Sequence, residues 1–341
     1  MRFRRSAPLA LAALLICHAM VLLAGFFAPY SPDAQNRLLA FAAPTPIHFM
    51  DTRKQFHIQP FVYRRTLYPG SFNEYEEDRT TAYPVRFFVP GAEYRIFGLI
   101  PSTEHLFGTG NQTPLFLMGT DAYGRDQFSR LLYGGRTSLF SGFLAAGIAV
   151  GLGLGLGGVA GYYGGWIDDT LMRVAEVFLA MPWLYLLLAV RAALPLHIGP
   201  EQAFVLLISL LGVIGWARPA RLIRGVVLSA RQREYVLAAK GFGASDLYIL
   251  RRHVLPQAFG VALNQAALYI PQFILAEVTL SFFGLGVSEP VPSWGNMLAA
   301  LQRYFVLESC WWMFAPAAAL VIVLLAYYRM FSCYVLKMPR V

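Results

Sequence analysis

The side chains in this chain that could do chemistry fall into two clusters and one lone carboxylate. Asp121, Arg125 and Asp126 stand within six positions of one another. Two carboxylates beside a guanidinium could hold a ligand or move a proton. The same spacing also makes a capped, ion-paired amphipathic entry to a helix, and this simpler reading is preferred. Asp168 and Asp169 read in the same way, as a turn and a helix start. Glu277 is different because it lies in an apolar stretch, where a carboxylate is a functional candidate by default. It could equally brace packed helices, and both readings stay open. The second cluster is a polar, basic island at 234–256, EYVLAAKGFGASDLYILRRHVLP.

The island reads as two short helices about a sharp turn. Arg231–Gly241 holds good helix formers and a small patch, Ala238 and Ala239. Gly243 can take a positive φ or allow close approach, which suits the turn. Ser245 is placed as an N-cap, with Asp246 in the first turn. Leu247, Leu250 and Val254 recur at helical spacing, and Arg251, Arg252 and His253 sit where positive charge favours a helix end. Pro256 is expected to stop this helix and start the return to the membrane. The surface offered is small-residue-lined and built for docking. A charged loop with no further role is the plainer alternative.

Other chemistry finds little support. No CxxC or HExxH occurs, and neither the three cysteines (Cys17, Cys310, Cys333) nor the six histidines cluster, so no metal or disulfide framework is expected. No G-x4-G-K-[ST] occurs, so the chain has no phosphate-cradling loop of its own. The match to GxGxxG at Gly153, Gly155 and Gly158 sits inside an apolar run with no strand before it, which argues against a dinucleotide site. No catalytic residue and no cofactor is assigned.

The elements that must position these groups are membrane helices. Of the 341 residues, 57% are hydrophobic and 14% charged, against roughly 25% charged in ordinary soluble domains. Runs near 20 residues long predict about six transmembrane helices, at 8–28, 138–161, 175–195, 202–218, 258–284 and 311–331. Asn264, Gln265, Pro271, Gln272 and Glu277 interrupt the fifth. The run Ala7–Phe27 after Arg2, Arg4 and Arg5 reads as a retained signal-anchor, being too long for a cleaved leader. Gly153, Gly157, Gly161 and Gly165, at every fourth position, predict close helix packing. Trp166, Trp216, Trp311 and Trp312 fall near span ends, as in an aromatic belt.

The net charge of +9 is read against the bilayer, not against nucleic acid. Arg2, Arg4 and Arg5, Arg173, eight basic residues between 218 and 252, and Arg329, Lys337 and Arg340 fall on one side. Arg303 and Arg191 fall on the other. The positive-inside rule then places both termini and the island in the cytoplasm. The expected domains are an N-terminal tail and first helix (1–28), an extracytoplasmic segment (29–137), a helical core (138–331) with a cytoplasmic loop (219–257), and a tail (332–341). Residues 29–137 are rich in Pro, Tyr, Phe and Arg, and Val85–Val89 and Tyr94–Ile100 suit short strands. The segment reads either as a cap or as a contact surface.

The island resembles the signature cytoplasmic loop of binding-protein-dependent ABC importer permeases, EAA-x3-G-x9-I-x-L-P. Ala238, Ala239, Gly243, Leu255 and Pro256 match at the right spacing. Leu237 and His253 depart from it, and with Glu234-Tyr235-Val236 and Arg252-His253 they look like the dipeptide/oligopeptide/nickel branch. The stretch from Gly119-Thr120-Asp121 to Gly134-x-Arg136-x-Ser138-Leu139, Gly161–Arg173, Leu280–Gly286 and Pro292-Ser293-Trp294-Gly295 are similar to the same branch. The resemblance covers about 119–340, and 29–118 looks longer than is usual there.

The resemblance implies an all-α, type I importer permease-like core in a bacterial-type inner membrane. It implies separate ATPase subunits, a second homologous permease subunit and an extracytoplasmic solute-binding protein as partners. It also implies coupling to the ATPase through Glu234, Ala238, Ala239, Gly243, Arg252, His253 and Pro256, with substrate-binding residues unassigned. A secondary transporter or channel working without ATPase is the alternative, and a membrane-bound enzyme has little to support it.

Overall fold

The computed structural model describes residues 2–71, 74–110, 112–182, 185–189 and 199–335. Arg191, Lys337, Arg340 and much of the third expected span lie outside the described residues, as do the side chains of Arg2, Arg4, Arg5 and Cys333. The chain divides into two compact units, Met1–Ser138 with Ser281–Val341, and Leu139–Leu280.

In the first unit, α1 (Arg2–Leu22) is followed by one further turn, α2 (Ala24–Phe27), and then by a β-rich segment. Three antiparallel strands, β1 (His48–Met50), β2 (Phe56–Leu67) and β3 (Tyr75–Pro84), pair in that order. A separate hairpin joins β4 (Arg86–Ile96) to β5 (Ile100–Gly108). The strands are longer than the sequence suggested. Val85–Val89 and Tyr94–Ile100 are not two separate short strands: Val85 lies just before β4, the rest of the first stretch and Tyr94 to Ile96 lie on β4, residues 97–99 form the turn, and Ile100 opens β5. Aromatic and β-branched residues drive this, since Val62, Val85 and Leu115 form one small core and Leu39, Ala42 and Phe116 another. "All-α" therefore describes the helical part of the chain and not this segment.

The unit is completed by the start of α3 (Gln127–Tyr163), by α9 (Trp294–Ala299), α10 (Tyr304–Ser309) and α11 (Ala315–Val335). Helix α1 packs along α11, where the Tyr327 hydroxyl lies 3.1 Å from His18 Nε2. Helix α3 begins eleven residues before the apolar run at 138. Hydropathy sees only the apolar part of a helix, whereas the helix itself starts at its cap: Asp126 Oδ2 accepts from the Ser129 backbone N–H at 2.8 Å.

The second unit holds the rest of α3, α4 (Gly165–Ala180), α5 (Pro200–Gly215), α6 (Ala217–Ala230), α7 (Glu234–Gly241) and α8 (Asp246–Phe282). Helices α5 and α6 bend by 42° at Trp216. Trp216 is buried with Ala175, Ala217 and Ala220, so it packs a helix joint and does not belong to an aromatic belt. Trp312 is buried as well, while Trp166 and Trp311 are exposed. Glycines let α3 meet α6 at backbone distance: a Cβ on Gly161 would lie 2.8 Å from the Arg224 carbonyl, and Gly153 and Gly157 face Pro219 and Ala220. Gly165 does not continue this ladder. With φ of 69° and 56°, Gly164 and Gly165 form the turn into α4.

Among the described residues, three helices are long and apolar enough to cross a membrane: α3, α8 and Trp311–Ser332, with the bent α5–α6 pair a fourth if counted as one span. The expected third span is not among these. Helix α4 covers its first part and ends at Ala180, and Met181 is its extended C-cap.

Candidate functional site

The island folds within the second unit as a helical elbow. Helix α7 begins at Glu234, three residues later than expected, and ends at Gly241. Gly243 adopts φ 82° and has nothing within 4 Å of where a Cβ would lie. Its glycine is therefore required by backbone conformation and not by crowding. The expected Ser245 cap forms, its Oγ accepting from the Tyr248 backbone N–H at 3.4 Å. Asp246, at the start of α8, accepts from the Tyr162 hydroxyl at 2.8 Å. This ties the elbow to the end of α3.

One face of the elbow is anchored. Val236, Ile249, Leu250 and Val254 are buried with Ile223, Val227 and Ala258 in a single apolar cluster, and Ala239 and Ala244 pack at its edge. Burying side chains of this size stabilises by about 1.5–3 kcal/mol each. The other face is open: Glu234, Ala238, Arg251, Arg252 and Pro256 are exposed. His253 is held between two rings, 6.2 Å from Tyr235 and 5.6 Å from Tyr248. Arg231 steadies the base by donating to the Tyr162 carbonyl at 3.0 Å.

Leu247, Leu250 and Val254 share helical spacing but not burial: Leu247 is 59% exposed while Leu250 and Val254 are covered. One expectation changes. Pro256 does not stop the helix. A π-helical turn at Leu250–Val254, in which the Leu255 N–H bonds to the Leu250 carbonyl, carries the chain into Leu255–Phe282. A proline lacks the N–H for an ordinary helical bond and its ring crowds the carbonyl four residues back; a π-turn relieves both.

Sequence reasoning missed the apolar part of the open face. Phe242 is 92% exposed, and Tyr235, Leu237, Leu247 and Tyr248 are also uncovered. Ser245, Leu247, Tyr248, Arg251 and Arg252 line a shallow depression of about 470 Å³. Exposed aromatic and aliphatic side chains among arginines are the composition of a protein-docking patch. The signal was present in the sequence: Leu237 and Phe242 lie off the stripe that Val236 begins.

The charged cluster of the first unit has the opposite character. Arg125 Nε donates to Asp121 Oδ2 at 2.6 Å and its Nη1 to Glu289 Oε2 at 2.6 Å. Arg130 Nη2 donates to Glu289 Oε1 at 2.9 Å. Asp121, Asp126, Arg125 and Arg130 are all buried. Burial, partly offset by hydrogen bonds from Ser129, pushes the Asp126 carboxyl up to about 6. Arg125 and Arg130 share Glu289, Arg125 also holds Asp121, and Asp126 caps α3, while Asp126 Oδ1 and Arg130 Nε have no hydrogen-bond partner among the described residues. The arrangement is the capped, ion-paired helix entry preferred from sequence. Asp168, in the first turn of α4, pairs with Arg224 of α6. Glu277 is fully buried in α8.

Residues 153–335 match the family described as binding-protein-dependent transport system inner membrane component. The dipeptide transport system permease protein DppC of Bacillus subtilis (strain 168) is 40% identical over 220 residues, 64% of this chain and 63% of that protein. DppC of Alkalihalophilus pseudofirmus is 36% identical over 227 residues, 67% of this chain and 69% of the relative. The oligopeptide transport system permease protein OppC of Bacillus subtilis is 35% identical over 231 residues, 67% and 68% of the two chains. The chain thus spans just under two thirds of the first of these relatives and slightly more of the others.

Proposed function

The chain belongs to the family of binding-protein-dependent transport system inner membrane components, and on that premise we propose that it is one permease subunit of an ATP-driven importer of peptides or similar small solutes. The observation that carries the reading is the elbow at 234–256, anchored on one face, with an uncovered apolar and basic face on the other. A separate ATPase subunit grips that face. Ala238, Ala239 and Gly243 allow close approach and the turn. Glu234, Arg252 and His253 frame the contact, and Pro256 lies where the elbow continues into α8. The chain pairs with a second, homologous permease subunit, and an extracytoplasmic binding protein delivers the solute.

In this reading both termini and the elbow face the cytoplasm, and about six spans cross the inner membrane. The β-rich segment lies on the outer side. The relatives named for dipeptide and oligopeptide transport support the solute class, and the basic residues around the elbow support its sidedness. The chemistry of hydrolysis belongs to the partner.

The test is Gly243→Val in the assembled transporter. Uptake should be lost while the protein still inserts and the ATPase still hydrolyses. Normal uptake by that variant would count against the assignment. A secondary carrier or channel is separated from this reading by co-purification: the importer subunit retains an ATPase, and the carrier does not.

A further inference from the structure

The β4–β5 hairpin ends in an uncovered apolar tip. Phe97 is 56% exposed, Leu99 81% and Ile100 61%. The turn places Phe97 at φ 51° and Gly98 at φ 75°, a geometry that asparagine and glycine suit far better than phenylalanine. Phe97 is therefore a poor choice for the turn itself, which points to a use for its ring.

The neighbours of the hairpin give its depth. Near the strand ends, the Phe107 ring lies 6.0 Å from Phe128, one residue into α3. His105 Nδ1 lies 2.6 Å from the Ala28 carbonyl. Further along, the Tyr94 ring lies against Gly25. Nearest the tip, Arg95, Ile96 and Gly98 share a cavity with Leu22, Leu23 and Arg136. The hairpin thus runs back beside α1 and α3, in the direction of their apolar stretches. Phe128 to Arg136 is about 12 Å of helix at 1.5 Å per residue. Arg136 stands two residues before the apolar run at 138, and Leu22 ends the apolar helix Pro8–Leu22. Two independent helices therefore place the tip where apolar surface begins.

We propose that this tip is a membrane contact: Phe97, Leu99 and Ile100 enter the boundary between lipid headgroups and acyl chains. Arg95 and Arg136 lie at the level of the phosphates, where long basic side chains extend toward the headgroups. Aromatic and apolar residues flanked by arginine are the composition that this layer favours. Of the acids on the hairpin, Glu93 of β4 lines the same cavity as Arg95 and Arg136, and Glu104 of β5 pairs with Pro90 further back from the tip. The inference rests on the membrane-permease reading.

The experiment uses the full chain in nanodiscs of phosphatidylcholine and phosphatidylglycerol, with Cys17, Cys310 and Cys333 replaced by alanine. Spin labels are placed at Leu99→Cys, Lys54→Cys and Leu144→Cys. Lys54 is an exposed turn residue between β1 and β2, and Leu144 is an exposed apolar residue of α3. Collision with oxygen and with a water-soluble nickel chelate is measured at each. The proposal expects position 99 to resemble position 144, with oxygen favoured and the chelate several-fold less effective than at 54. A water-accessible label at 99 beside a lipid-accessible one at 144 overturns the proposal alone. Protection from both reagents at 99 also overturns it, because protein then covers the tip. A water-accessible label at 144 sinks the membrane reading itself.

Discussion

The elbow at 234–256 and the charged cluster around Arg125 and Arg130 are both rich in ionisable residues, yet they are built in opposite ways. In the cluster, each guanidinium is buried and meets a carboxylate within the same unit. In the elbow, Arg251 and Arg252 are exposed beside exposed Leu247 and Tyr248. Buried, mutually paired charge holds a fold in one arrangement, because separating the partners leaves a charge without compensation. Exposed charge beside exposed apolar surface adds little to the fold and is available to a partner. The two motifs look alike as letters, and burial separates them.

The largest effect tests the cluster. Arg130→Leu removes a donor to Glu289 and leaves that carboxylate and Asp121 with less compensation. The Arg130 side chain is buried but Glu289 is 45% exposed, so solvent screening holds the loss below the about 3–5 kcal/mol of a fully buried pair. Tm in detergent and the yield of folded protein should still drop. A variant with unchanged Tm would mean that the cluster does not hold the unit together.

Gly243→Val comes next. A β-branched residue at φ 82° costs about 1–2 kcal/mol, well short of unfolding. Transport should fall far more than Tm does, and equal losses in both would reduce the elbow to a structural loop.

Asp126→Asn is a subtler test. The folded carboxyl titrates near 6 and its ordinary value is 3.8. Below 3.8 both states hold the proton. Between 3.8 and 6 only the folded state does, so the stability supplied by the neutral acid is lost as pH rises through that window. Wild-type Tm should decline across it relative to the asparagine variant, whose profile lacks this component.

The smallest stability effect is expected at Ala238. Ala238→Leu adds bulk to an exposed position, and surface changes of this kind stay within about 0.5 kcal/mol. Tm should hold while ATPase co-purification weakens. Full retention of the ATPase would move the docking face elsewhere on the elbow.

The elbow was legible in the sequence because its signals are local. Gly243 needs a left-handed backbone and Ser245 caps the next turn, and both act within a few residues of themselves. The start of α3 was not legible from hydropathy, which fades at the arginines and serines of 127–138, although the Asp126 cap was there to be read. The extent of β4 was hidden because it depends on pairing with β5, with a register shift between Pro90 and Tyr94 that no periodicity announces. Trp216 was misplaced for a related reason. Its position near a span end fits a belt, and only the bend between α5 and α6 shows that it packs a joint.

Helix α8 runs unbroken from Asp246 to Phe282 for 37 residues, about 55 Å at 1.5 Å per residue. The π-turn beneath Pro256 is what keeps it whole. One continuous helix therefore joins the elbow, at Asp246, to the buried carboxylate of Glu277 near its opposite end.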